Sequence, residues 1–91
     1  MTGPRVCLIT GGASGIGEAC ARRFVADGDF VAIGDIQDAK ATALAAELGP
    51  GALALRLDVR EERDFERATA LVEERWGRLD VMVNNAAIVC A

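Results

Sequence analysis

The chain has 91 residues, with 14 acidic and 10 basic side chains and a formal charge of −4. That length holds one hydrophobic core and no more, while 52 % apolar residues exclude disorder through low hydropathy. The acidic excess argues against nucleic acid or an anionic membrane surface as the main partner, and without His or Tyr, and with serine only at Ser14 and lysine only at Lys40, most reaction classes lose their usual acid or base.

Short apolar runs alternate with helical patterns along the chain. Residues 5–9 form a continuous apolar run, ended by Thr10-Gly11-Gly12, and this fits a strand buried on both faces. From Gly15 the period changes, with Ile16, Ala19, Cys20 and Phe24 on one helical face. Gly28 is placed to take the left-handed position that ends this helix. A second strand is expected over 30–34, and a second helix over 38–48 with Ala41, Leu44, Ala45 and Leu48 facing inward. Asp38 is the candidate cap of that helix, and Gly49-Pro50-Gly51 stops it. A third strand follows over 52–57, then a third helix over 61–76 with Phe65, Ala68, Val72 and Trp76 along one stripe. Its acidic start suits the helix dipole. Gly77 ends it, and 79–84 reads as a fourth strand.

The pattern is βαβαβαβ. Apolar strands joined by helices imply an α/β fold, a doubly wound parallel sheet with helices on both faces and strand order 3-2-1-4. Sites in such sheets lie beyond the carboxyl ends of the strands where the winding reverses, here between strands 1 and 4. No stretch is long and apolar enough to span a bilayer, and no signal peptide is read, so a cytoplasmic setting is expected. Cys7, Cys20 and Cys90 lack metal-like spacing and read as small apolar side chains under reducing conditions. No metal site is expected.

Four motifs carry chemistry. Thr10 to Gly17 joins a strand to a helix. Gly11 permits a sharp exit from the strand, Gly15 lets backbone approach a pyrophosphate, and Gly17 allows close helix packing. The helix start offers N–H groups to phosphates, and Ser14 adds a hydroxyl. The spacing G-x3-G-x-G differs from the commonest dinucleotide fingerprint; an ordinary glycine turn is the other reading. Asp35 ends strand 2, where a carboxylate accepts from the adenosine ribose hydroxyls. It would repel a 2′-phosphate, and no Arg or Lys stands beside it in sequence or in the glycine loop, which favours NAD over NADP. A solvent-facing or capping Asp is its alternative. Asp58-Val59 follows strand 3, an acceptor for the adenine amino group beside an apolar wall, or simply a loop Asp before a helix. Asn84-Asn85 ends strand 4, where paired amides can bind backbone across a crevice or form a turn.

Together these motifs resemble the classical short-chain dehydrogenase/reductase family. The likeness runs from residue 5 to residue 91, through Thr10-Gly11, Gly15-Ile16-Gly17, Asp35, Asp58-Val59 and Gly77 to Ala86. It implies the NAD-binding part of a Rossmann-type domain over 1–91. Gly11, Ser14, Gly15, Ile16 and Gly17 would lie at the pyrophosphate, Asp35 and Ile36 at the adenosine ribose, and Asp58 and Val59 at adenine. Asn84, Asn85 and Ala86 would line the ribose side of the cleft. Ala87 stands where the family usually has Gly. The resemblance places the catalytic Ser, the Tyr-x3-Lys pair and a further Asn beyond the fourth strand, so no residue of this chain is expected to be catalytic. It implies hydride transfer between NAD and a small alcohol or carbonyl substrate in the complete enzyme, and a homo-oligomer. A stand-alone binding or interaction module is the alternative, and an S-adenosylmethionine methyltransferase a third. Strand 4 is expected to leave an open apolar edge that promotes association.

Overall fold

The computed structural model describes residues 4–13 and 15–85. Its order is β1 (Val6–Thr10), α1 (Gly15–Ala26), β2 (Phe30–Asp35), α2 (Asp38–Leu48), β3 (Ala52–Arg56), α3 (Glu62–Trp76) and β4 (Val81–Asn84). The four strands are parallel in the order β3-β2-β1-β4. The doubly wound sheet expected from the alternating runs is therefore present.

The continuous apolar run of β1 has a direct cause. Side chains alternate across a strand, so Val6 and Leu8 enter one core while Cys7 and Ile9 enter the other. The first core joins Val6, Leu8 and Ala32 to Leu55, Leu57 and the α3 residues Ala68 and Val72. The second joins Cys7, Ile9, Val31 and Ile33 to Ala21 of α1 and Ala41 and Leu44 of α2. Both faces are covered, so the strand is apolar from Val6 to Ile9, and the one polar side chain, Thr10 at its end, is hydrogen-bonded to Asn84. Phe65 and Trp76 pack against the α3-side core, and Trp76 stacks on Phe30 with ring centroids 5.4 Å apart.

Gly28 closes α1 as expected, with a φ of 91°, and Gly77 closes α3 in the left-handed conformation. The expected cap of α2 is displaced. Gln37, not Asp38, is the cap residue, and no side chain caps the helix. The reason lies one turn earlier, where the Asp35 carboxylate accepts the Gln37 N–H at 2.8 Å. Asp38 instead opens the first turn, where its charge still opposes the helix dipole. The fourth strand also begins later than the apolar pattern implies, because Asp80 is recruited as a clamp. Its N–H donates to the Val6 carbonyl at 2.8 Å, and its carboxylate accepts the Val6 N–H at 2.8 Å. Asp29 does the same beside it, accepting the Arg5 N–H at 3.0 Å and pairing with the Arg5 guanidinium. Among the described residues no helix is long and apolar enough to cross a membrane, and no acidic, Cys or His group could hold a metal ion.

Candidate functional site: the carboxyl ends of the strands

The loop after β1 turns sharply because Gly11 adopts a φ of 65°, which L side chains rarely reach. Its N–H donates to the Gly34 carbonyl at 2.7 Å, which ties the loop to the end of β2. Gly15, at a φ of 59°, starts α1. A side chain there would meet no atom within 4 Å, so open space faces the backbone at the helix start. Gly17 is the opposite case. A Cβ on it would sit 2.2 Å from the Gly11 carbonyl oxygen and 2.8 Å from Nδ2 of Asn85. The close approach expected of Gly17 is thus to the loop itself, not to the strands.

Asp35 is buried, with 5 % of its surface exposed. Its Oδ2 accepts the Ala13 N–H at 3.0 Å and its Oδ1 the Gln37 N–H at 2.8 Å. One carboxylate therefore sets both the glycine loop and the entry to α2. An ionised carboxylate has about four acceptor positions, so each oxygen keeps capacity for a further donor. No cation pairs with Asp35 among the described residues. A cleft of about 400 Å³ opens over it, lined by Gly11, Asp35, Ile36, Leu57, Asp58, Val59 and Arg60. Five of the expected positions thus converge: Gly11, Asp35, Ile36, Asp58 and Val59.

Asp58 is not a free acceptor. The Arg60 guanidinium grips it at both oxygens, Nε to Oδ1 at 3.0 Å and one terminal nitrogen to Oδ2 at 2.9 Å. The Arg60 N–H adds a third bond to Oδ1 at 3.0 Å. These contacts hold the Asp58 carboxyl down at about 2, the side-chain bond to Arg60 being the largest cause. The Asp58 N–H is in turn fixed by the buried Asp64 carboxylate at 2.8 Å, and Asp64 pairs with Arg67. Arg60 and Asp64 are the residues that sequence reasoning missed. The signal for Arg60 was present as Asp58-Val59-Arg60, a spacing that suits a turn closed on its own carboxylate. The absence of a cation beside Asp35 holds along the chain but not in space, because β3 brings Arg60 into the same cleft.

The amides at the end of β4 do what their spacing allowed. Asn85 donates from Nδ2 to the Gly11 carbonyl at 3.2 Å, across from β4 to the loop after β1. Asn84 Oδ1 accepts the Thr10 hydroxyl at 3.0 Å. The Ile16 side chain lies apart from the cleft, 73 % exposed, over a hollow lined with Ala19, Cys20, Arg23 and Phe24. Ser14 and Ala86 lie outside the described residues.

These features are a loop cinched between β1 and β4, an open helix start and a cation-free carboxylate ending β2. They agree with what the chain matches. The family model for short chain dehydrogenases covers residues 5–91. The chain belongs to the short-chain dehydrogenase family. Among its relatives it is 48 % identical over 84 residues to a sorbitol dehydrogenase of Cereibacter sphaeroides, covering 92 % of this chain and 33 % of that protein. It is 46 % identical over 84 residues to a galactitol 2-dehydrogenase of Agrobacterium fabrum, again covering 92 % and 33 %. The chain thus spans about a third of the length of these curated relatives. The family fold is equally clear in a crystal structure of 3-ketoacyl-(acyl-carrier-protein) reductase from Brucella melitensis complexed with NADH. That structure aligns with a TM-score of 0.84 at 38 % identity, over 86 % of this chain and 32 % of that one.

Proposed function

We infer that residues 1–91 form the NAD(H)-binding part of a short-chain oxidoreductase that moves hydride between NAD and a small alcohol or carbonyl substrate. The observation that carries this reading is the buried carboxylate of Asp35 under an open cleft at the end of β2, which among the described residues pairs with no cation, Arg60 in the same cleft being taken by Asp58. Its unused acceptor positions suit a pair of vicinal hydroxyls, and its charge disfavours a phosphate in their place. Bound there, the dinucleotide supplies the hydride donor or acceptor.

The chain's own work is to hold and orient it. Gly11, Gly15 and Gly17 shape the loop, and the N–H groups at the start of α1 face the pyrophosphate beside Ser14. Ile16 contributes through its backbone at that start, since its side chain turns away. Asp35 and Ile36 take the adenosine ribose, Asp58 and Val59 the adenine. Asn84, Asn85 and Ala86 are assigned to the ribose side of the site, and Asn85 braces Gly11. A cytoplasmic setting goes with free cysteines packed among apolar side chains.

A stand-alone non-catalytic module draws no support from relatives named as dehydrogenases and reductases. The coenzyme assignment is tested by titrating NADH and NADPH into the wild type and Asp35→Ala. The expected result is a tenfold or greater loss of NADH affinity, the scale of hydrogen bonds to a charged group, with a narrowed preference over NADPH. An unchanged preference would reject it.

Self-association fits the same reading. The outer edge of β4 bears no partner strand among the described residues, and Met82 on it is 46 % exposed. Light scattering of the chain is expected to show oligomers that Met82→Lys reduces; a monodisperse monomer would remove this expectation.

A further inference from the structure

Asp58 faces the cleft with its acceptor positions nearly spent. Three donors from Arg60 fill three of about four. Among the described residues the Arg60 guanidinium makes its ion pair with this carboxylate, and its side chain is 68 % exposed at the cleft wall. The base end of the cleft thus presents an acceptor and a donor that satisfy each other. A purine whose 6-substituent is an amino group must draw on Asp58, in competition with Arg60. A purine with a 6-oxo group finds a donor for that oxygen in Arg60, and offers Asp58 only its N1–H, one ring position away.

We propose that Arg60 sets the base specificity of the cleft: by occupying Asp58 and donating in its own right, it makes the site take 6-amino and 6-oxo purine dinucleotides nearly alike. This rests on the reading of the cleft as a dinucleotide site. It assigns to Arg60 a role that neither the glycine loop nor Asp35 supplies. Removing the guanidinium frees two acceptor positions on Asp58 and deletes the donor. The freed positions can serve the amino group of adenine or the N1–H of hypoxanthine, but the lost donor served only the 6-oxo group, so the balance moves toward adenine.

The experiment is calorimetric titration of the chain with NADH and with reduced nicotinamide hypoxanthine dinucleotide, for the wild type, Arg60→Ala and Arg60→Lys. The ligands carry the same charge, so the ratio of their dissociation constants cancels the general loss of a positive side chain. The wild-type ratio is expected within about twofold of one. In Arg60→Ala it is expected to move about two- to fivefold toward adenine, the scale on which an exposed ion pair competes. Arg60→Lys, which keeps a donor but not the two-pronged grip, should fall between. A ratio that stays put, or moves toward hypoxanthine, overturns the role of Arg60 while leaving the dinucleotide reading intact. Failure of the wild type to bind either ligand overturns both. A carboxyl titration by NMR adds a check without ligand: Asp58 should titrate from about 2 in the wild type toward the ordinary range in Arg60→Ala, and no change would also sink the proposal.

Discussion

Asp29 and Asp80 hold the amino end of β1, and Asp35 holds its carboxyl end, each by accepting backbone N–H groups. The difference lies in what balances the charge. At the amino end Arg5 pairs with Asp29 and Arg78 with Asp80. Both carboxyls are held below the ordinary range, chiefly by those side-chain bonds. At the carboxyl end Asp35 accepts two N–H groups and pairs with no arginine among the described residues, Arg60 in the same cleft being taken by Asp58. The first end is electrostatically closed, a clamp that needs nothing more. The second retains a negative charge and spare acceptor positions beside open space, and that is what a binding site requires. The same residue type in the same kind of contact therefore serves structure at one end and, on the proposed reading, recognition at the other.

Substitutions can break this contrast. The largest effect is expected from Gly17→Val, whose Cβ would overlap the Gly11 carbonyl at 2.2 Å. It should abolish NADH binding and cost about 1–3 kcal/mol of stability through overpacking, measured by titration and by denaturant unfolding. Retained affinity would disconnect the glycine loop from binding. Asp80→Ala comes next. It removes the partner of the Val6 N–H at the end remote from the cleft, so the melting temperature should fall while NADH affinity, measured on the folded fraction, stays within about twofold. Its stability contribution should itself depend on pH. A carboxyl held low in the folded chain stabilises above the unfolded value, and that stabilisation fades as pH falls through the folded value. The wild type and Asp80→Ala should therefore converge in acid. The smallest effect concerns Cys7. Burial, followed by the charge of Asp29, pushes its thiol up to about 11. It should resist alkylation near neutral pH until the chain is unfolded, and rapid labelling of Cys7 in the folded chain would contradict the sealed amino end.

Most of the fold could be read from the chain because its rule is local. An unbroken apolar run such as 6–9 signals a strand covered twice, and the stripe of Ala68 and Val72 signals a helix covered once. The same locality explains what was missed. Asp38 satisfied every sequence criterion for a cap, but Asp35 reached the Gln37 N–H first, from a strand whose end position only the sheet fixes. Asp58 looked like a free acceptor because nothing in spacing alone says that Arg60 folds back on it. Asp64 lies on the buried stripe of α3, four residues before Ala68, but a charge there runs against the apolar pattern, because its task is to hold the N–H of Asp58. The glycine positions were legible, but the atom that forbids a side chain at Gly17 was not, since it belongs to the loop's own Gly11.

That Gly11 carbonyl is shared. Gly17 leans on it from one side and the Asn85 amide reaches it from the other, across 74 positions of chain. The glycine loop is thus not a self-contained turn. It is completed only when β4 has arrived, and such distant pairings form late because the intervening chain must first be ordered. If the loop holds the coenzyme as proposed, its capture reports on assembly: a molecule whose fourth strand is frayed would keep its helices and three-stranded core yet lose its grip on the dinucleotide.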